Sequence, residues 1–173
     1  TRFLLSRGAK CYVYDDGNTD KLTQDCNLLE QEGAVWVNKI EVFDLLSEID
    51  VVVLSPGVAI DHDIPVKARK LSKRIIGELE LAYTFCNSPI IAVTGTNGKT
   101  TTCTMIDGVL KSAKHNTVLC GNIGNPFISV VDKLTEEDVL VVETSSFQLE
   151  TVNSFAPHVA VITNVTPDHL SRH

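Results

Sequence analysis

The chain has 173 residues, 43% hydrophobic and 21% charged, which is enough apolar material for one or two cored domains. Lys and Arg number 15 against 22 Asp and Glu, and this net charge of −7 comes with no basic patch, so generic nucleic-acid binding is not expected. No run approaches the length of a membrane span, and the five cysteines (Cys11, Cys26, Cys86, Cys103, Cys120) are odd in number and lack C-x-x-C spacing, which argues against a disulfide framework or zinc knuckle and fits a reducing cytoplasm.

The opening "TRFLLSRGAK" reads as the tail of a helix, with Phe3, Leu4 and Leu5 apolar and Gly8 placed to end it. A tail without its start, beginning at Thr1, leads us to expect further sequence upstream. Short apolar runs then alternate with helical patterns. Strands are predicted over 10–16, 34–37, 51–54, 74–76, 90–94, 117–120, 139–144 and 159–164, and helices over 20–32, 64–73, 78–86, 100–113 and 126–133. Several strands are apolar on both faces, as in a parallel sheet covered by helices. In the helix over 100–113, Cys103, Ile106, Leu110 and Ala113 form one stripe, with Met105 and Val109 beside it. The fold class is therefore α/β. Asn87, Ser88 and Pro89 break the pattern and separate a Rossmann-like open parallel sheet over 1–87, lacking its first strand, from a P-loop α/β ATPase domain beginning at 88. Both domains are expected to be incomplete.

Ligands of open α/β sheets bind beyond the carboxyl ends of the strands, and the unusual residues collect there. After the strand over 90–94 comes "GTNGKTT", residues 95–101. Val93 stands where the common phosphate loop has its first glycine. Gly95 and Gly98 still permit close backbone approach, the loop amides and helix start would face an anion, Lys99 would reach the outer phosphates of ATP, and Thr100 would ligate Mg2+. The competing reading is a solvated strand-to-helix turn. Glu143, closing "VLVVE", would reach the same metal, or else cap the next turn. Asn122, between two glycines, could donate to a phosphate or carboxylate or be a turn residue. His169 could ligate metal, contact a substrate carboxylate, or be merely exposed. Asp15 and Asp16 could read a ribose or base edge, or form a charged loop.

Taken together, "GTNGKTT" (95–101), "ETSSFQLE" (143–150), "SPGVAID" (55–61), "GELEL" (77–81), "CGNIG" (120–124) and "ITNVTPDHLSRH" (162–173) resemble the Mur ligase family, over essentially the whole chain. The loop is that family's own variant and does not use the missing glycine; "SSFQLE" is similar to the branch that adds D-glutamate to UDP-N-acetylmuramoyl-L-alanine in peptidoglycan synthesis. Ser171 departs from the aspartate usual in that family. The resemblance implies a cytoplasmic, monomeric, ADP-forming ligase that works through an acyl phosphate, with ATP and Mg2+ as cofactors and the fragment alone inactive. It implies that Gly95, Thr96, Asn97, Gly98, Lys99, Thr100 and Thr101 bind ATP, and that Lys99, Glu143 and His169 are catalytic. Thr100 and Glu143 would serve a first magnesium and His169 a second. Asn122, Ser145, Gln148 and His169 would position the muramoyl substrate, and Asp15 and Gly57 its uridine end. The alternatives are another ligase of the wider superfamily, including those that add glutamate to folate, and a non-catalytic nucleotide-binding module. A P-loop kinase lacks the cluster of lid arginines.

Overall fold

The computed structural model describes residues 1–17 and 19–167. In chain order the elements are α1 (Arg2–Leu5), β1 (Tyr12–Val13), α2 (Thr19–Gln31), β2 (Val35–Trp36), α3 (Lys39–Leu45), β3 (Val51–Leu54), α4 (Asp63–Lys70), β4 (Arg74–Gly77), α5 (Glu78–Tyr83), β5 (Ile90–Thr94), α6 (Lys99–Ser112), β6 (Thr117–Gly121), α7 (Phe127–Val130), β7 (Val139–Glu143), α8 (Ser146–Leu149) and β8 (Val159–Ile162). The α/β expectation holds: every strand pair whose register is described is parallel. Contacts divide the chain into two compact units, Thr1–Val52 with Asp61–Arg74, and Val53–Ile60 with Ile75–His173.

In the first unit β1 and β2 pair in parallel, Tyr12 opposite Val35 and Val13 opposite Trp36. Both strands are much shorter than the runs predicted over 10–16 and 34–37. Helix α3 was not expected, yet its start is written in the sequence: Asn38 accepts from the N–H groups of Ile40 and Glu41, while Glu41 accepts from the N–H of Asn38. This reciprocal box satisfies helix-start donors that water would otherwise have to reach. β3 and β4 form a separate two-stranded sheet.

The second unit is built on a four-stranded sheet in the order β6-β7-β5-β8. Val93 lies opposite Glu143 on one side and Val161 on the other, and Gly121 is also opposite Glu143. The central strands are buried on both faces; Val93, Leu140, Val141 and Val142 have no measurable exposure. Helix α6 seals one face through Cys103, Ile106 and Leu110 against Val93, Val141 and Leu119. Met105 and Val109 point away from this core and are exposed, and so is Ala113, one turn beyond the packed stripe. The helix predicted over 126–133 is shorter than one continuous rod: α7 is followed by a 3-10 turn over Val131–Lys133. β-Branched side chains at Ile128, Val130 and Val131 crowd the preceding turn and favour such tightening.

No disulfide is present among the described residues. Burial pushes the Cys103 thiol up to about 11 and the Cys120 thiol up to about 12, so both stay protonated and behave as small apolar core groups. No helix among the described residues is long and apolar enough to cross a membrane.

Candidate phosphate and metal site

The chain leaves β5 toward β6 on one side and leaves β7 toward β8 on the other, so the carboxyl ends of β5 and β7 flank the point where the connections diverge. Such a switch point opens a crevice at the strand ends. The loop after β5 and the carboxylate ending β7 are brought together there.

The loop turns on two glycines. Gly98 adopts φ +83, the left-handed region that glycine enters without penalty, and forms the N-terminal boundary of α6. Gly95 has φ +131, and a Cβ there would overlap the Thr163 hydroxyl and lie 2.8 Å from the Asn164 carbonyl oxygen. Lys99 Nζ donates to Gly95 O at 2.7 Å and to Thr96 O at 2.9 Å, closing the loop on itself. An ammonium has three hydrogens, so one remains for an anion. The backbone N–H groups of the first turn of α6 have no intrahelical acceptor and add the positive end of the helix dipole.

Thr100 Oγ1 donates to Glu143 Oε2 at 2.7 Å, and Asn122 Nδ2 donates to Glu143 Oε1 at 3.0 Å. Glu143 is 2% exposed, so its orientation is held by these two donors and by the strand behind it. The Asn122 N–H also donates to Glu143 O at 2.8 Å, and Thr144 N–H donates to Val93 O at 2.9 Å, which ties the ends of β6, β7 and β5 to one another. Thr100 and Glu143 supply adjacent hard oxygen donors, and the hydroxyl keeps a lone pair while it donates. That is the donor chemistry Mg2+ prefers. Among the described residues no three His, Cys, Asp or Glu side chains gather as a metal cluster.

The other expected site residues fall as follows. Ser145 and Gln148 cap α8 reciprocally: Gln148 N–H donates to Ser145 Oγ at 3.3 Å, and Ser145 N–H donates to Gln148 Oε1 at 2.9 Å. Gln148 is 6% exposed, so both side chains are held two and five residues beyond Glu143. Asp15 is exposed and accepts from Gly17 N–H at 2.7 Å in its own turn. Its neighbour Asp16 accepts from the Tyr14 hydroxyl and lies 2.5 Å from His62 Nε2. Gly57 is exposed in the turn after β3. Thr101 lies exposed in the first turn of α6. His169 lies outside the described residues.

Within the run 162–173, Thr163, Asn164 and Thr166 bond to Thr96 and Asn97. The fully buried Glu80 binds the turn after α8. Glu80 accepts from the N–H groups of Asn153, Ser154 and Phe155 at 3.0, 2.9 and 3.0 Å and from Ser154 Oγ at 2.5 Å. Glu78, two residues earlier, accepts from Ile128 N–H at 2.6 Å at the start of α7. Both glutamates belong to "GELEL" (77–81), one of the runs that carry the family resemblance, which assigns neither acid a role.

Residues 93–173 match the model of the Mur ligase middle domain. The UDP-N-acetylmuramoylalanine–D-glutamate ligase of Caldicellulosiruptor saccharolyticus is 43% identical to this chain over 178 residues, covering 99% of this chain and 38% of that one. The enzyme of the same name from Pelotomaculum thermopropionicum is 45% identical over 181 residues, covering all of this chain and 38% of that one. The chain thus spans 38% of the length of these relatives. Among solved structures, the UDP-N-acetylmuramate:L-alanyl-gamma-D-glutamyl-meso-diaminopimelate ligase from Neisseria meningitides superposes with a TM-score of 0.54 at 19% identity, over 98% of this chain and 57% of that one, a likeness of fold.

Proposed function

The chain belongs to the Mur ligase family, and on that premise we propose that the protein carrying it joins D-glutamate to UDP-N-acetylmuramoyl-L-alanine, with ATP as phosphoryl donor, in cytoplasmic peptidoglycan synthesis. The observation that carries the reading is the Thr100–Glu143 pair, 2.7 Å apart beside the phosphate loop. The choice of D-glutamate is supported by relatives of that name at 43 and 45% identity along the whole chain. In this reading residues 1–87 hold the UDP end of the substrate, with Asp15 and Gly57 in contact, and residues 88–173 begin the ATP-binding domain. The protein is taken as a monomer, and the 173 residues alone are taken as inactive.

The reaction has two stages. An oxygen of the substrate's terminal carboxylate attacks the γ-phosphorus of ATP, the bond to the β-phosphate oxygen breaks, and an acyl phosphate and ADP form. The amine of D-glutamate then attacks the acyl carbon, loses a proton, and expels inorganic phosphate as the amide forms. Bringing a carboxylate to a triphosphate opposes like charges, at a cost of about 4 kcal/mol per unit pair at 4 Å and an effective dielectric of 20. Thr100 and Glu143 would hold a magnesium ion, which would supply positive charge to offset part of that repulsion. The chain's own share is positional. Lys99 offers its third hydrogen to the transferring phosphate, the first turn of α6 cradles the remaining oxygens, and Thr100 and Glu143 present the metal ligands. Asn122, Ser145 and Gln148 line the approach of the acyl substrate, where His169 is assigned to both substrate and second metal.

The test is ADP release by the full-length protein with UDP-N-acetylmuramoyl-L-alanine, Mg2+ and one amino acid at a time. Release that requires D-glutamate, with the dipeptide product formed alongside, is the expected result. Release with a different amino acid on its matching precursor would keep the family and overturn the substrate. No amino-acid-dependent release would overturn the enzyme reading.

A further inference from the structure

Thr96 and Asn97 of the loop are bonded through both backbone N–H groups, the Asn97 carbonyl and the Thr96 hydroxyl to one segment, Thr163–Thr166, which follows β8 on the neighbouring strand. Asn97 N–H donates to Asn164 Oδ1 at 3.0 Å, and Asn97 O accepts from Asn164 Nδ2 at 2.8 Å and from Thr163 Oγ1 at 2.7 Å. Thr96 N–H donates to Asn164 O at 3.0 Å. Thr96 Oγ1 donates to Thr166 O at 3.1 Å and accepts from Thr166 N–H at 3.0 Å. Thr163 Oγ1 also fills the space that a Cβ on Gly95 would take. The side-chain amide of Asn164 therefore reads one residue of the loop, Asn97, at both its backbone donor and its backbone acceptor, as a paired strand would.

We infer that Asn164 is a positioning residue for nucleotide binding: its amide holds both backbone groups of Asn97 so that the loop opens its anion-facing donors only from Gly98 onward. The inference rests on the ATP reading of this loop. Thr96 and Asn97 spend their N–H groups on the 163–166 segment, and the Thr96 carbonyl is bound by Lys99. The amides of Gly98, Lys99, Thr100 and Thr101 are what remains for phosphate, at the start of α6. The common phosphate loop uses a longer glycine-bearing turn to shape itself; with Val93 in place of its first glycine, this loop takes its shape from outside, through Asn164. Fixing the peptide before the nucleotide arrives lowers the ordering cost of binding.

The experiment compares wild type, Asn164→Ala and Asn164→Asp in the full-length protein. It reads the Kd for ADP with Mg2+, the KM for ATP and for the muramoyl substrate separately, and amide hydrogen exchange over 95–98. The aspartate keeps an acceptor for Asn97 N–H but sets a charge against Asn97 O, so it restores one bond of the two. Loss of a bidentate pair should raise the nucleotide Kd and the KM for ATP about tenfold in the alanine variant, with faster exchange at Asn97 and an unchanged KM for the muramoyl substrate. Should the alanine variant fail to fold, the aspartate variant is read by the same criteria. Nucleotide affinity equal to wild type, or KM values that rise together for both substrates, would overturn the role of Asn164 while leaving the ATP reading intact. Failure of the wild type itself to bind nucleotide would overturn both.

Discussion

Thr100 Oγ1 and Glu143 Oε2 stand 2.7 Å apart across 43 residues of sequence, one at the start of α6 and the other at the end of β7. The parallel register makes this meeting unavoidable, because Val93 of β5 lies opposite Glu143 of β7 and the loop from β5 must pass over that carboxylate. Asn122 arrives at the same carboxylate from β6 by the same register, Gly121 being opposite Glu143. A strand order that separated β5 from β7 would dissolve the site without altering a residue.

Glu143→Gln retains the size of the side chain but replaces one acceptor by a donor, which then faces either Thr100 or Asn122. Turnover should fall by about 100-fold or more, as when a charge aimed at a phosphoryl transfer is removed, and the Mg2+ concentration giving half-maximal rate should rise. Rates measured across a Mg2+ series decide this. An unshifted Mg2+ dependence would take Glu143 out of the metal site.

Lys99→Ala deletes both the loop-closing bonds to Gly95 O and Thr96 O and the charge offered to phosphate. We expect acyl-phosphate formation to drop by about 1,000-fold or more, while binding of the UDP substrate, followed by calorimetry, stays within about threefold of wild type. Ordinary turnover in this variant would remove the loop from catalysis.

Glu80 should contribute to stability in acid. Burial works to raise its pKa, but the hydrogen bonds from Asn153, Ser154 and Phe155 outweigh that and hold the carboxyl below its usual value. With the folded pKa depressed, the unfolded chain binds the extra proton. Glu80 therefore stabilises the fold above the ordinary carboxylate value of about 4.3, and this contribution is lost as pH falls through the folded value. Glu80→Gln should flatten the part of the stability-against-pH curve below about pH 5 and cost about 3 kcal/mol near neutrality, since an amide cannot accept from all the buried donors. Denaturant unfolding at a series of pH values checks both; an unchanged acid limb would exclude Glu80 as its source.

Gly95→Ala and Gly108→Ala should have opposite signs. At Gly95 the new methyl meets Thr163 and Asn164 at φ +131, so unfolding should become easier by about 2 kcal/mol and nucleotide binding should weaken. Gly108 lies within α6 with nothing within 4 Å of its would-be Cβ, and alanine there should stabilise by about 0.5–1 kcal/mol. Thermal melts of the two variants distinguish the cases directly. Equal effects at both positions would mean that the Gly95 loop is not clamped as described.

The sequence by itself determined the elements whose chemistry is local. Strands β5, β6 and β7 follow from apolar runs that tolerate burial on both faces, and the phosphate loop follows from two glycines and Lys-Thr set between a strand and a helix. Even the unanticipated α3 was legible, since Asn38 and Glu41 spell its capping box three residues apart. The short β1 and β2 were overestimated because strand length depends on how far a partner strand continues alongside, and a single run does not contain that information. Tertiary structure alone decided the rest. Glu143 could have been a helix cap until β7 was set beside β5, whereas the reciprocal cap of Ser145 and Gln148, three residues apart like Asn38 and Glu41, is as local as that of α3. Asn164 and Glu80 stood in the quoted runs "ITNVTPDHLSRH" and "GELEL", but neither run says what their side chains bind. Their partners, Asn97 and the turn at 153–155, lie 67 and more than 70 residues away, and hydrogen bonds over such separations exist only once the sheet has fixed which strand ends are neighbours.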